Sequence, residues 1–91
     1  MSKPILGILG GGQLGSMLAQ AAKEISVETV IYCDEEDPPA KKFANHFIFG
    51  DYKDIKTVDK FINIVDVVTF EFENIPYDTL EYINKIKNVY P

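Results

Sequence analysis

The chain has a single cysteine, Cys33, among its 91 residues. One thiol excludes an internal disulfide and a metal site made of several thiolates, because both need more than one cysteine. Cys33 falls in a predicted buried strand and has no basic neighbour that would stabilise a thiolate, so we expect it to pack in the core rather than act as a nucleophile. The low cysteine content favours a reducing, cytoplasmic location.

The sequence also lacks a long hydrophobic run and a cluster of basic residues. Its apolar stretch near the amino terminus is too short and too rich in glycine to span a membrane, and it has neither the charged region nor the cleavage pattern of a secretory signal. Nine basic residues are spread along the chain against 14 acidic ones, which gives a formal net charge of −5. Binding to nucleic acid needs clustered Lys and Arg, so we expect neither a nucleic-acid nor a membrane partner.

The overall composition is that of an ordinary globular protein. Hydrophobic residues make up 46% and charged residues 25% of the sequence, which excludes a disordered tail or a collagen-like chain. A chain of this length suits one small domain, which we place at residues 1–91, and it buries only roughly 60 to 65% of its unfolded surface. We therefore expect a thin margin of stability.

Apolar periodicity predicts strands that alternate with helices. Strands are predicted at residues 4–10, 27–33, 46–49 and 66–72, with a further strand beginning at residue 88. Helices are predicted from 14 to 25, from the proline pair at 38–39 to about 45, from 55 to 65, and from 77 to about 85. This order predicts an α/β fold with a Rossmann-like open parallel sheet, right-handed crossovers and helices on both faces.

The aromatic residues and the lone histidine near the third strand are assigned structural roles. Phe43, Phe47 and Phe49 fit core positions, so no cofactor is needed to explain them. His46 follows a helix, and we expect it to cap the carboxyl end of that helix or to face solvent. We assign it no catalytic role.

Clustered glycines between the first strand and the first helix are the strongest local signal. Gly10, Gly12 and Gly15 fit the spacing GxGxxG, in which glycines allow a tight turn, a close approach of ligand to backbone, and close packing of helix on strand. The first N–H groups of the helix favour an anionic group, so the sequence predicts a phosphate-binding turn. The alternative is that the glycines serve packing alone. The fingerprint occurs in dehydrogenases, nucleotide sensors and several ligases.

Acidic residues at strand ends are the other candidates for a site, because ligands of open parallel sheets bind at the carboxyl ends of the strands. Glu71 and Glu73 are two apart on a predicted strand and should point to the same face. Such a pair can accept hydrogen bonds from an amine or amide. The alternative is that one of them caps the helix that begins at Pro76.

Asp34 and Asp51 follow the second and third strands at the same edge of the sheet. Asp34 lies about 20 residues beyond the glycine turn, where a dinucleotide-binding fold places the acceptor of a ribose hydroxyl. It also belongs to an acidic run, residues 34–37, and we favour a solvated strand-end acid.

Taken together, the glycine turn and the glutamate pair resemble the amino-terminal domain of an ATP-grasp ligase. The sequence GILGGGQLG at residues 7–15 is similar to the opening of the 5-(carboxyamino)imidazole ribonucleotide synthase family of purine biosynthesis. The stretches DPPA at 37–40, DY at 51–52 and DVVTFEFENIP at 66–76 follow in the order that this family shows. The resemblance covers essentially the whole chain, and a dehydrogenase has no reason to carry GGGQLG and EFENIP together.

The resemblance implies a reaction and a set of ligand contacts. The family converts 5-aminoimidazole ribonucleotide, bicarbonate and ATP into the N5-carboxylated nucleotide, ADP and phosphate, with Mg²⁺ and a carboxyphosphate intermediate. It implies that Gly12, Gln13 and Leu14 contact the ribonucleotide, and that Glu71, with Glu73, faces the aminoimidazole. It implies no catalytic, cofactor-binding or metal-binding residue in this chain, because ATP and Mg²⁺ bind between later domains.

The chain also departs from the family pattern. Position 16, often an arginine in relatives, is Ser16, so the resemblance carries no basic contact there. The ATP-grasp segments are missing, and we therefore expect this chain to be the first domain of the enzyme, a truncated piece without ligase activity by itself. Relatives are commonly dimers, so the resemblance implies a homodimer of the full-length enzyme.

Other readings of the same residues stay open. The first is a non-enzymatic Rossmann module that senses NAD or an adenine nucleotide through the three motif glycines and Asp34. The second is a purely structural role in an oligomeric ligase. A third, within the ligase class, is the related enzyme that acts on glycinamide ribonucleotide and has the same domain plan.

Overall fold

The computed structural model describes residues 3–71 and 75–90. Its strands are β1 (Leu6–Leu9), β2 (Thr29–Cys33), β3 (His46–Phe49), β4 (Val67–Phe70) and β5 (Asn88–Tyr90). Its α-helices are α1 (Gln13–Glu24), α2 (Ile55–Ile64) and α3 (Tyr77–Asn84), and a short 3-10 helix spans Pro39–Phe43. In the described part of the chain, no helix is long and apolar enough to cross a membrane.

The five strands form one parallel sheet in the order β3-β2-β1-β4-β5. The predicted α/β class and parallel sheet are therefore confirmed. Strand β1 lies between β2 and β4, and its residue Leu9 is paired with Phe70 of β4. This register brings the segments that follow β1 and β4 side by side at the carboxyl edge of the sheet.

Helices cover both faces of the sheet, as predicted, and each face has its own hydrophobic cluster. The cluster under α2 and α3 includes Leu9, Val30, Tyr32, Phe61 and Ile83. The cluster under α1 and the 3-10 helix includes Ile8, Ala19, Ile31, Cys33 and Ala40. Neighbouring strand residues alternate between the two clusters, which is why β1 and β2 read as continuous apolar runs.

Several details differ from the sequence-based prediction. Strand β4 ends at Phe70 in the structure, and the predicted strand end at residue 72 lies outside the described residues. The segment after the proline pair is a 3-10 helix that ends at Phe43. The prediction that Phe49 is in the core is wrong, because its side chain is 55% exposed. It ends β3, an edge strand that no neighbouring strand covers on its outer side.

Other structural assignments are confirmed. Cys33 is buried and free. His46 is exposed, and its Nε2 lies 3.1 Å from Oε1 of Glu28. Phe43 and Phe47 are partly buried against the cluster under α1.

An aromatic group anchors the loop between β3 and α2. The ring of Tyr32 lies 5.4 Å from that of Tyr52 and 5.3 Å from that of Phe61. Its hydroxyl donates a hydrogen bond of 2.6 Å to the carbonyl of Asp51. Burial, followed by the negative charges of Asp54 and Asp51, raises the pKa of Tyr32. Burial likewise raises the pKa of Tyr52.

These raised pKa values predict a loss of stability in alkali. The folded chain favours neutral Tyr32, so this stabilisation is complete below the unfolded pKa of 10.0 and is lost as the pH rises above it. Each such tyrosine contributes a slope of at most about 1.4 kcal/mol per pH unit. Urea unfolding between pH 8 and 11 measures this slope, which we expect Tyr32→Phe to reduce. Equal slopes for the native chain and Tyr32→Phe would contradict this account.

A second prediction concerns Gly7, which faces the cluster under α2. A Cβ atom at Gly7 would lie 2.5 Å from Cζ of Phe61 and 2.8 Å from Cγ1 of Val65. We expect Gly7→Ala to lower the free energy of unfolding by roughly 1–3 kcal/mol, the usual cost of overpacking a core. In a Phe61→Leu background the same change should cost less, which a double-mutant cycle by urea unfolding measures. An unchanged cost in that background would show that Phe61 is not the obstacle.

Candidate functional site

The candidate site lies where β1 and β4 end, at the point in the sheet where the strand order reverses. After β1 the chain passes to α1 on one face, whereas after β4 it passes to α3 on the opposite face. The two connections diverge and leave a crevice between them at the carboxyl edge of the sheet. In open α/β sheets this crevice is the usual ligand site.

The glycine turn forms the first wall of this crevice. Gly10 has a φ of 109°, a conformation that residues with a side chain rarely adopt. Its N–H donates to the carbonyl of Tyr32 at 2.8 Å, which continues the β1–β2 pairing into the turn. Gly12 is extended and precedes α1 without a side-chain cap. The helix therefore begins at Gln13 with its first N–H groups directed out of the turn.

Glu71 forms the opposite wall. Its N–H donates to the carbonyl of Leu9 at 3.0 Å, which extends the β1–β4 pairing by one residue. Its side chain crosses to the glycine turn, where Oε1 accepts a hydrogen bond of 2.7 Å from the N–H of Gly15. The alternative that this glutamate caps the helix beginning at Pro76 is wrong for Glu71, because its carboxylate caps α1 instead.

All three motif glycines border this carboxylate. A Cβ atom would lie 2.8 Å from Oε2 of Glu71 at Gly10, 3.2 Å from Oε1 at Gly12, and 3.1 Å from Oε1 at Gly15. At Gly15 it would also lie 2.7 Å from the backbone oxygen of Gly10. The glycines therefore make room for the Glu71 side chain as well as for packing of helix on strand.

The turn keeps two donors available for a ligand. Within the described residues, the N–H groups of Gln13 and Leu14 have no hydrogen-bond partner, and both residues are exposed. The Glu71 carboxylate lies beside them. The crevice thus combines backbone donors with a negatively charged acceptor, which suits a ligand that carries both an acceptor oxygen and an N–H group.

A further support of the turn was not apparent from the sequence. The carbonyl of Gly11 accepts a hydrogen bond of 2.9 Å from the N–H of Ala40. A Cβ atom at Gly11 would lie 2.6 Å from Cγ of Pro38 and 3.2 Å from Sγ of Cys33. Pro38 and the N–H of Ala40 therefore support the middle of the glycine turn from outside. The proline pair predicted the start of a helix, but it did not predict this contact with the turn.

The remaining candidate residues do not join this arrangement. Asp34 is exposed, as the solvated interpretation predicts. Asp51 accepts a hydrogen bond of 2.8 Å from the N–H of Lys53 through its own Oδ1, a local turn contact. Glu73 lies outside the described residues, so its convergence with Glu71 stays a prediction.

A separate cavity of about 340 Å³ lies between α2 and α3. Its lining includes Tyr52, Ile55, Val58, Thr79 and Tyr82. None of the predicted ligand residues that the structure describes borders it. The hydroxyl of Thr79 donates a hydrogen bond of 2.8 Å to the carbonyl of Tyr52. We therefore take the crevice, and not this cavity, as the candidate site.

Mg²⁺, which the resemblance implies for the whole enzyme, finds no fitting donor set in the described residues. No three His, Cys, Asp or Glu side chains of residues 3–71 and 75–90 lie close enough together to hold a metal ion.

The fold and site define a parallel α/β domain with a glycine turn and a strand-end acid at its switch point. Comparison with known protein families identifies the family to which this domain belongs. The model of the family "Ribonucleotide synthetase preATP-grasp domain" matches residues 1–91. The chain belongs to this family.

Individual relatives agree with this assignment. The chain is 44% identical over 86 residues to a bifunctional purine synthesis protein of Dictyostelium discoideum, covering 94% of this chain and 9% of that protein. It is 38% identical over 79 residues to the N5-carboxyaminoimidazole ribonucleotide synthase of Bacillus subtilis, covering 87% of this chain and 21% of that protein. The chain therefore spans less than a quarter of the length of these relatives.

Solved structures show the same fold. An ADP complex of an N5-carboxyaminoimidazole ribonucleotide synthetase superposes with a TM-score of 0.89 at 38% identity, covering 94% of this chain and 23% of that one. The Aspergillus clavatus synthase in complex with ADP and 5-aminoimidazole ribonucleotide superposes with a TM-score of 0.83 at 31% identity, covering 98% of this chain and 24% of that one.

The geometry of the turn predicts different costs for two glycine substitutions. Gly15→Ala places Cβ against a backbone oxygen of Gly10, which cannot move aside, so we expect a loss of roughly 1–3 kcal/mol in the free energy of unfolding despite the better helix propensity of alanine. Gly12→Ala meets only the end of the Glu71 side chain and should cost less. Urea unfolding of both variants measures the difference, and a larger loss for Gly12→Ala would contradict the geometry.

Proposed function

We propose that this chain is the ribonucleotide-binding, amino-terminal domain of an N5-carboxyaminoimidazole ribonucleotide synthase. The whole enzyme would carboxylate 5-aminoimidazole ribonucleotide with ATP and bicarbonate in purine biosynthesis. The observation that carries this proposal is the carboxylate of Glu71, which accepts a hydrogen bond of 2.7 Å from the N–H of Gly15. It lies beside the N–H groups of Gln13 and Leu14, which have no partner among the described residues. Family membership and the relatives named above support it.

Each part of the crevice has a role in this proposal. The N–H groups of Gln13 and Leu14, with the Gly12 turn, donate hydrogen bonds to oxygen atoms of the ribonucleotide. Glu71 accepts a hydrogen bond from the amine of the aminoimidazole through Oε2, because its Oε1 already accepts one from the N–H of Gly15. Glu73 is proposed as a second acceptor at the same amine.

Holding the amine in one orientation is the contribution of this domain to the reaction. A carboxylate that accepts an N–H hydrogen bond both aims the nitrogen at the electrophile and increases its electron density. Because Gly15 fixes one oxygen of Glu71, the amine meets an acceptor that needs no reordering. ATP and Mg²⁺ are proposed to bind in the remainder of the enzyme, which would supply activated bicarbonate.

Further properties of the whole enzyme follow from the same proposal. We propose that it is a cytoplasmic homodimer. The 91-residue chain by itself should show no ATP- and bicarbonate-dependent turnover, because ATP and Mg²⁺ are proposed to bind in the remainder of the enzyme. Turnover by the purified chain would contradict the proposal that ATP and Mg²⁺ bind in the remainder of the enzyme.

Calorimetric titration of the chain with 5-aminoimidazole ribonucleotide tests the binding role. Glu71→Gln removes the charge of the acceptor, and we expect about 10- to 100-fold weaker binding, the equivalent of one charge-assisted hydrogen bond. Gln13→Pro removes one backbone donor at the first helical position, where proline is tolerated and the preceding residue is already extended. It should also weaken binding.

Gln13→Ala is the matched control, since it keeps the backbone N–H and should bind as the native chain does. Circular dichroism establishes that all three variants fold. Binding of NAD that disappears in Asp34→Ala, with no binding of the ribonucleotide, would favour the nucleotide-sensing interpretation and contradict this one.

A further inference from the structure

The glycine turn of this chain already binds a negatively charged group of the same chain, the carboxylate of Glu71. In a dinucleotide-binding turn, the N–H groups that begin the helix face a pyrophosphate. Here the N–H of Gly15 donates instead to Oε1 of Glu71 at 2.7 Å. The other carboxylate oxygen lies 2.8 Å from the position that a Cβ atom would take at Gly10. The space that the motif glycines leave open is therefore filled by the side chain of Glu71, the residue after β4.

Electrostatics makes this arrangement selective. A second anion in the same space would lie against the Glu71 carboxylate, and like charges at such a distance repel strongly where water is partly excluded. None of the nine basic residues of the chain is an arginine, so no side chain here can form a bidentate clamp on a phosphate group.

We infer that Glu71 determines which ligands the turn accepts. Its carboxylate occupies the position that a pyrophosphate takes in a dinucleotide-binding turn and so excludes dinucleotides. It leaves a site for a group that donates an N–H hydrogen bond. Glu71 acts here as a positioning and specificity residue. This role does not depend on the proposed function, because the carboxylate fills the turn whether or not a ribonucleotide binds.

NMR titration with inorganic pyrophosphate tests this role. We record amide ¹H–¹⁵N spectra of the native chain, Glu71→Ala and Glu35→Ala, which removes an exposed acid from the run at 34–37 and so matches the change in net charge. In Glu71→Ala we expect saturable shifts of the Gly12, Leu14 and Gly15 amides, with at least tenfold tighter binding than in the other two proteins.

A neutral variant at position 71 separates the effect of the negative charge from the effect of the side-chain volume. Glu71→Gln keeps an acceptor for the Gly15 N–H and much of the native volume, and we expect binding of pyrophosphate between that of the native chain and that of Glu71→Ala. It also keeps the test decisive if the alanine variant fails to fold. Equal binding by native chain and folded Glu71 variants, or no binding by any of them, would overturn the inference.

Discussion

The hydrogen bond from the Gly15 N–H to the Glu71 carboxylate is the contact on which the rest of the site depends. It joins the beginning of α1 to the end of β4 across 56 residues of sequence. A helix that begins with a glycine at its N-cap has no side chain of its own to satisfy its first donors. Glu71 supplies that acceptor from another element and complements the helix dipole at the same time. The crevice is therefore a fixed feature of the fold.

The sheet order makes this contact possible. The strands beside β1 end next to the glycine turn, and the order β3-β2-β1-β4-β5 gives β1 two such neighbours. Strand β2 uses its carboxyl end to support the turn, through the Tyr32 carbonyl that binds Gly10 and through Cys33 beneath Gly11. Glu71, the residue after β4, supplies the carboxylate. One neighbour thus supports the backbone of the turn, and the segment after the other provides the charge. Among the described residues, the N–H groups of Gln13 and Leu14 have no partner.

Local patterns predicted most of the fold but only part of the site. Apolar periodicity, the glycine turn and the proline pair are short-range signals, and they located β1, α1 and β3 closely. The direction of the Glu71 side chain depends on which strand lies beside β1, and no local pattern encodes that. Phe49 was misplaced for a related reason, because the exposure of its side chain depends on β3 being an edge strand. The family resemblance named Gln13, Leu14 and Glu71, which border the crevice, but not the contact between Glu71 and Gly15. Their contact with a ligand stays a prediction.

The most direct test of this account is to observe that contact in solution. A long-range HNCO experiment on the isotope-labelled chain detects scalar coupling across individual hydrogen bonds. We expect a correlation between the Gly15 amide nitrogen and the side-chain carboxyl carbon of Glu71, beside the one between the Gly10 amide and the Tyr32 carbonyl. A spectrum with the Gly10–Tyr32 correlation but without the Gly15–Glu71 correlation would contradict the account.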